Sequence, residues 1–208
     1  MTKPNVLVVR TGVANLASVL AGLERVGVTA QISNDPREIE SAERVLLPGV
    51  GAFGAGMLQL RADRLVEPLR RRIAGNRATL AICLGMQLLC AASEEHPGME
   101  GLGVVREHVT RFAHNLRVPQ LGWNEIEPDK KCRMLESGYV YFANSYRLTE
   151  RPPGWAVAVA DYGGSFVAGM ERGKVLACQF HPELSSAFGL ALLRRWLATE
   201  EGDGDAGV

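Results

Sequence analysis

The feature that most constrains this chain is an alternation in its N-terminal part. Short apolar runs at Asn5–Val9, 28–32, Arg44–Leu47 and Thr79–Ile82 alternate with longer stretches of helical periodicity. Runs this short, rich in β-branched residues, fit strands buried on both faces better than helices. Between the first two, Leu16, Val19, Leu20, Leu23 and Val26 form a helical stripe that Asn15 is placed to cap. Further helical stretches run through Leu60 and over residues 65–74, and one is predicted from Cys83 to about Ala92. Repeated strand–helix units of this kind predict a parallel sheet covered by helices.

The pattern changes after Ser93. Strand-like segments follow at 103–105, 109–112, 122–127, 139–142, 155–162, 166–170 and 175–180, and Glu171-Arg172-Gly173-Lys174 reads as a hairpin turn. A last helix is predicted over 185–198, with Leu193, Trp196 and Leu197 facing inward. The fold class is therefore α/β: a three-layer, flavodoxin-like, mostly parallel central sheet with helices on both faces, plus extra antiparallel strands in the C-terminal half. Residues 1–199 read as a single domain. The acidic, Gly-rich stretch 200–208 reads as a flexible tail.

Composition excludes several function classes. Lys plus Arg and Asp plus Glu both number 23, so no basic face calls for nucleic acid or an anionic membrane. No apolar run reaches the length of a spanning helix and no export signal opens the chain, so a cytoplasmic protein is expected. The four cysteines, Cys83, Cys90, Cys132 and Cys178, lack metal-ligand spacing and read as free thiols. No metal and no cofactor are expected.

The chemistry concentrates in a few places. Cys83 ends an apolar strand and opens a helix, in Leu80-Ala81-Ile82-Cys83-Leu84-Gly85-Met86-Gln87. Ala81 and Gly85 permit the sharp turn that exposes a nucleophile, and the helix start places positive potential near a thiolate. Cys90, within a helical pattern, and Cys178, within a strand, read instead as buried packing residues. Of the four histidines, His96, His108 and His114 lie in polar stretches and read as surface residues. His181 follows an apolar strand, at the sheet edge where open α/β folds place their sites. Glu183, two residues on, can accept from its imidazole, which makes Cys83, His181 and Glu183 a catalytic triad. Pro48-Gly49-Val50-Gly51 follows another strand, and its backbone N–H groups suit an oxyanion hole. Trp123, between Gly122 and Asn124, fits either a core position or an interface anchor.

Together, Cys83-Leu84-Gly85-Met86-Gln87 and Gln179-Phe180-His181-Pro182-Glu183 resemble the class I glutamine amidotransferase family, over about residues 5–198. Within it the chain is most similar to the glutaminase subunits of imidazole glycerol phosphate synthases. The segments carrying that likeness are Thr11–Leu16, Leu47–Gly54, Pro119–Asn124 and Tyr141–Tyr146. The resemblance implies hydrolysis of L-glutamine through a γ-glutamyl thioester on Cys83, with ammonia passed to a (β/α)8-barrel cyclase partner in histidine biosynthesis. It implies that Gly51, Gln87, Ser145 and Tyr146 bind glutamine and that the Val50 N–H, with Gly51, serves the oxyanion hole. It places Asn15, Trp123, Tyr141 and Asn144 at interface or coupling positions. Asn144 stands where many relatives have His, and Arg10 where many have an acidic residue. A glutaminase subunit of another amidotransferase, or a non-catalytic glutamine-binding subunit, are the competing readings.

Overall fold

The computed structural model describes residues 5–11 and 15–199. The turn through 12–14 and the tail at 200–208 lie outside them. In chain order the elements are β1 (Asn5–Val9), α1 (Leu16–Arg25), β2 (Thr29–Ser33), α2 (Pro36–Ser41), β3 (Arg44–Leu47), α3 (Phe53–Ala62), α4 (Val66–Ala74), β4 (Thr79–Ile82) and α5 (Leu84–Leu88). Then come β5 (Ala92–Ser93), β6 (His108–Arg111), β7 (Gln120–Pro128), β8 (Gly138–Asn144), β9 (Tyr146–Leu148), β10 (Ala156–Asp161), β11 (Ser165–Arg172), β12 (Val175–Cys178), a 3-10 turn at Pro182–Leu184 and α6 (Ser186–Leu197).

One nine-stranded sheet runs β2-β1-β3-β4-β12-β11-β10-β7-β8. From β2 to β12 the pairs are parallel, in the flavodoxin order; from β12 to β8 they are antiparallel. A small second sheet joins β5, β6 and β9. The period of two along each strand builds two cores. Leu7, Val9, Val45, Leu47, Ala81 and Ala177 face Met57, Leu60, Leu69 and Ile73 of α3 and α4. Val6, Val8, Leu46, Leu80, Ile82 and Leu176 face Leu23 of α1 and Leu193 and Trp196 of α6. Both faces of β1, β3, β4 and β12 are covered, which is why these strands carry continuous apolar runs, whereas the edge strand β2 is largely exposed.

Several boundaries differ from expectation. β2 starts one residue later than read, with Val28 buried before it. α5 stops at Leu88 rather than near Ala92, because the next carbonyls find non-helical donors. Leu88 O accepts from Leu102 N, Leu89 O from Val105 N and Cys90 O from Gly103 N. Residues 103–105 therefore brace α5 instead of forming a strand, and Cys90 lies beyond the helix, buried as expected. α2 escaped the periodicity reading because it is short, yet it carries a cap signature. Asp35 accepts from Arg37 N and Glu38 N, with Pro36 in the first turn.

The end of the sheet remote from the site is fastened by Arg72, which is fully buried. Its guanidinium donates to the carbonyls of Ile39, Ala42, Glu43 and Ala78 and to Thr79 Oγ1. These acceptors share out the charge that a buried cation otherwise needs a counter-ion to balance. At the opposite edge the C-terminal ends of β1, β3, β4 and β12 lead directly into Thr11, Pro48–Gly51, Cys83 and Gln179–Glu183.

Candidate active site

Cys83 occupies the turn between β4 and α5 with φ 54° and ψ −110°, a left-handed conformation that costs a residue with a Cβ about 1–3 kcal/mol. Neighbouring contacts hold it there. Cys83 N donates to Cys178 O at 2.7 Å, and Gly85 lies so close to β3 that an added Cβ would meet Leu47 O at 2.1 Å. Only glycine fits at that crossing. The helix start supplies less positive potential to Cys83 than its place in the sequence predicts. α5 spans five residues, and Leu84 N is already spent on Gly49 O at 3.2 Å. Side chains must meet the charge on the sulfur.

His181 is one of them. It hydrogen-bonds Cys83, and its Nδ1 lies 2.8 Å from Glu183 Oε1, which leaves Nε2 for the sulfur. Burial pushes the imidazole down, but the bonds to Cys83 and Glu183 outweigh it and raise it to about 10. The His181 backbone is clamped to β8: its N–H donates to Tyr141 O at 2.9 Å, and its carbonyl accepts from Ser185 Oγ at 2.6 Å. Ser185 Oγ also accepts from Tyr141 N at 3.0 Å. Glu183 is covered by α1, where Gly22 leaves only 3.0 Å between an added Cβ and the Glu183 Cβ.

Cys83 and His181 open into a cavity of about 340 Å³. Its wall includes Val50, Gly51, Gln87, Ser145, Tyr146 and Asn144. The residues expected to form the oxyanion hole and bind glutamine thus share one pocket with Cys83. The oxyanion peptide, however, faces the other way. Gly49 O points at Leu84 N, and a planar trans peptide directs the Val50 N–H to the opposite side. Thr11, buried, holds the loop by donating to Pro48 O at 3.1 Å.

Asn144 lies apart from the other residues expected at interface or coupling positions. It is buried in the cavity wall and donates to Tyr146 O at 2.9 Å, so it does not share the outer surface with Trp123 and Tyr141. Those two lie opposite each other on β7 and β8, their rings edge to face at 6.2 Å. Trp123 is 54% exposed, with exposed Leu121 and Tyr139 on the same sheet face. The alternative of a core tryptophan is thereby removed. Asn15 is exposed and accepts from Ser18 N, as a cap should. His96, His108 and His114 are exposed and do not line the cavity.

Two further residues were not read from the sequence. Glu95 lines the cavity and caps α3 by accepting from Phe53 N at 2.6 Å. Its only sequence signal was an acid in a loop. Gln179, fully buried, donates to Cys83 Sγ at 3.7 Å. It sits two residues before His181, where strand alternation alone predicts an ordinary buried position. Among the described residues no group of His, Cys, Asp and Glu side chains is arranged to hold a metal ion, and no helix is long and apolar enough to cross a membrane.

The family model for glutamine amidotransferase class-I matches residues 8–198. Imidazole glycerol phosphate synthase subunit HisH of Symbiobacterium thermophilum is 41% identical, covering 92% of each chain. The HisH subunit of Aquifex aeolicus is 39% identical over 91% of this chain and 94% of its own. The chloroplastic imidazole glycerol phosphate synthase hisHF of Arabidopsis thaliana is 38% identical over 89% of this chain, which spans 33% of that longer protein. Among solved structures, PurLQS from Thermotoga maritima superposes with a TM-score of 0.75 at 15% identity, over 94% of this chain and 98% of the matched one. A crystal structure of a glutamine amidotransferase gives 0.74 at 24% identity, covering 92% and 96%. At those identities the structures speak for the fold alone.

Proposed function

The chain belongs to the glutamine amidotransferase class-I family, and on that premise we propose that it is the glutaminase subunit of an imidazole glycerol phosphate synthase. The carrying observation is the meeting of Cys83 and His181 at one cavity, with Glu183 behind the imidazole, in a chain about 40% identical to such subunits along most of its length. Cys83 transfers its proton to His181, and the thiolate attacks the side-chain carboxamide carbon of glutamine. Glu183 fixes the imidazole and stabilises its cation. The tetrahedral intermediate collapses with cleavage of the C–N bond, and the nitrogen leaves as ammonia with the proton from His181. Water, deprotonated by the same imidazole, then attacks the thioester carbonyl, and glutamate and the thiol are restored.

The cavity fits an amino acid. Glu95 is an acid in its wall, suited to the α-ammonium group. Both Gln87 amide hydrogens are spent, on Tyr146 O and on Gln179 Oε1, so toward substrate Gln87 offers its carbonyl oxygen as an acceptor. Gly51, Ser145 and Tyr146 complete the cradle. The occupied Leu84 N–H and the outward Val50 N–H leave the isolated subunit with a poor oxyanion hole. Rotation of the Gly49–Val50 peptide frees the first and aims the second, and we assign that rotation to partner binding.

The partner in this reading is a (β/α)8-barrel cyclase docked on Leu121, Trp123, Tyr139 and Tyr141. An exposed aromatic cluster of this kind is a natural interface anchor. Behind it, Tyr141 reaches His181 and Ser185 through its own peptide groups. Asn15, exposed at the start of α1, belongs to the same docking region in this reading, and the buried Asn144 acts from within the cavity wall. The test is glutamate release from glutamine by the subunit alone, with the cyclase, and with cyclase plus its nucleotide ligand. Little turnover is expected alone and a large rise in the full mixture; inactivity in all conditions refutes the reading. Trp123→Ala is expected to weaken the complex by about 2 kcal/mol, roughly 30-fold in Kd. Calorimetric titration with the cyclase checks this, and unchanged affinity moves the interface elsewhere.

A further inference from the structure

We propose that Gln179 is a catalytic residue: its side-chain amide donates to the Cys83 sulfur and stabilises the thiolate, oriented by Gln87. The orientation follows from hydrogen-bond chemistry rather than from atom labels. Tyr146 O is a backbone carbonyl and can only accept. The Gln87 side-chain atom 3.2 Å from it must therefore be the amide nitrogen. That nitrogen lies 2.9 Å from a side-chain atom of Gln179, which must then be the carbonyl oxygen. The other arm of the Gln179 amide, 3.7 Å from Cys83 Sγ, is consequently the NH2 group. One fixed carbonyl thus determines the sense of two amides and points a donor at the nucleophile.

Location gives this donor its effect. Gln179 is fully buried and Cys83 is 6% exposed, so water meets the sulfur only from the cavity side. The neighbouring backbone donors are committed, Cys83 N to Cys178 O and Leu84 N to Gly49 O. His181 supplies one partner for the anion and Gln179 a second. The amide carries no proton that the reaction moves. It holds the anion before attack and again when the sulfur leaves the γ-glutamyl carbon. Gln87 connects this donor to Tyr146 in the substrate cradle, so a displacement there is felt at the sulfur. Among the described residues, the titratable groups facing this pocket are His181, Glu95 and Tyr146, with Glu183 behind the imidazole.

The inference deepens the glutaminase reading and rests on it for its consequence in turnover, but its first readout requires no partner and no glutamine. Alkylation of Cys83 by iodoacetamide is followed against pH by mass spectrometry of the Cys83 peptide, in the wild type, Gln179→Met and Gln179→Glu. Removing the donor is expected to raise the alkylation midpoint by about one pH unit in Gln179→Met. The added carboxylate should raise it further in Gln179→Glu. A role confined to packing would lower thermal stability and leave the midpoint in place, and an unmoved midpoint in Gln179→Met overturns the proposal. A measurement on the wild type covers the case of variants that fail to fold. The Gln179 Nε2 proton resonance should titrate with the Cys83 midpoint and lose that titration in Cys83→Ala; a flat resonance in the wild type also overturns it. With the cyclase present, kcat should fall about 10-fold in Gln179→Met with little change in KM. Shifted alkylation without any glutamine turnover would refute the glutaminase reading and leave the thiolate donor standing.

Discussion

Cys83→Ala should lower cyclase-stimulated glutamate release by about 10⁴-fold or more while leaving the fold and the complex intact. No other described residue of the cavity wall offers a nucleophile activated by a base, so nothing replaces the sulfur. Alanine keeps the Cβ, and with it the same left-handed backbone at φ 54°; the substitution neither relieves nor adds to that strain. The exposed side chains Leu121, Trp123 and Tyr139, the cluster proposed for docking, do not line the cavity that holds Cys83 and keep their surface in the variant. The same variant tests the electrostatics. Burial pushes His181 down, and the bonds to Cys83 and Glu183 raise it to about 10. Without the sulfur, only Glu183 opposes burial, so the imidazole midpoint must fall. Because the folded value is raised, protonation of His181 stabilises the fold fully below about 6.5 and is lost as pH climbs through the folded midpoint. In Cys83→Ala the contribution is smaller and its loss is complete at a lower pH. The imidazole Hε1 resonance gives the midpoint directly, and a value still near the wild-type one would show that Cys83 is not the partner of His181.

The parts of this site that sequence made legible are those fixed by local rules. A strand leading into a Cys-Leu-Gly turn needs little context to be read as an elbow, and the two-residue step from His181 to Glu183 places a carboxylate within reach of an imidazole. Apolar runs located Arg44–Leu47 and Thr79–Ile82 to the residue because both sheet faces are buried there. What stayed hidden depends on groups brought together from far along the chain. Gln179 and Gln87 are 92 residues apart, and only the parallel pairing of β12 with β4 brings them together. The premature end of α5 is likewise a tertiary effect, since the donors that claim its carbonyls come from residues 102–105. The direction of the Gly49–Val50 peptide is a conformational choice that a Gly-rich turn leaves open, so composition could propose an oxyanion hole but not the state of its donors.

Gly85→Ala should damage this protein more than any other single-methyl change at the elbow. The added Cβ would sit 2.1 Å from Leu47 O and 3.1 Å from Leu47 C, and those atoms are backbone of a central strand. No rotamer change relieves such a clash; either α5 or the end of β3 must move. The two walls of the cavity hang on these segments, since Cys83 precedes α5 and the Pro48–Gly51 loop follows Leu47 directly. A loss of about 3 kcal/mol or more is expected, roughly 10 °C in Tm for a chain of this size. Turnover in the surviving folded fraction should fall by about 10²-fold or more, because displacement of about 1 Å between nucleophile and oxyanion donors is enough. Gly27→Ala is the control: Gly27 has φ 82° but nothing within 4 Å of an added Cβ, so it reports backbone strain without collision. It should cost about 1 kcal/mol and leave turnover unchanged. Thermal unfolding and glutamate release on the two variants separate the effects. Equal Tm losses would mean that the crossing of α5 over β3 is not the constraint, and that the elbow tolerates a wider path than its glycine suggests.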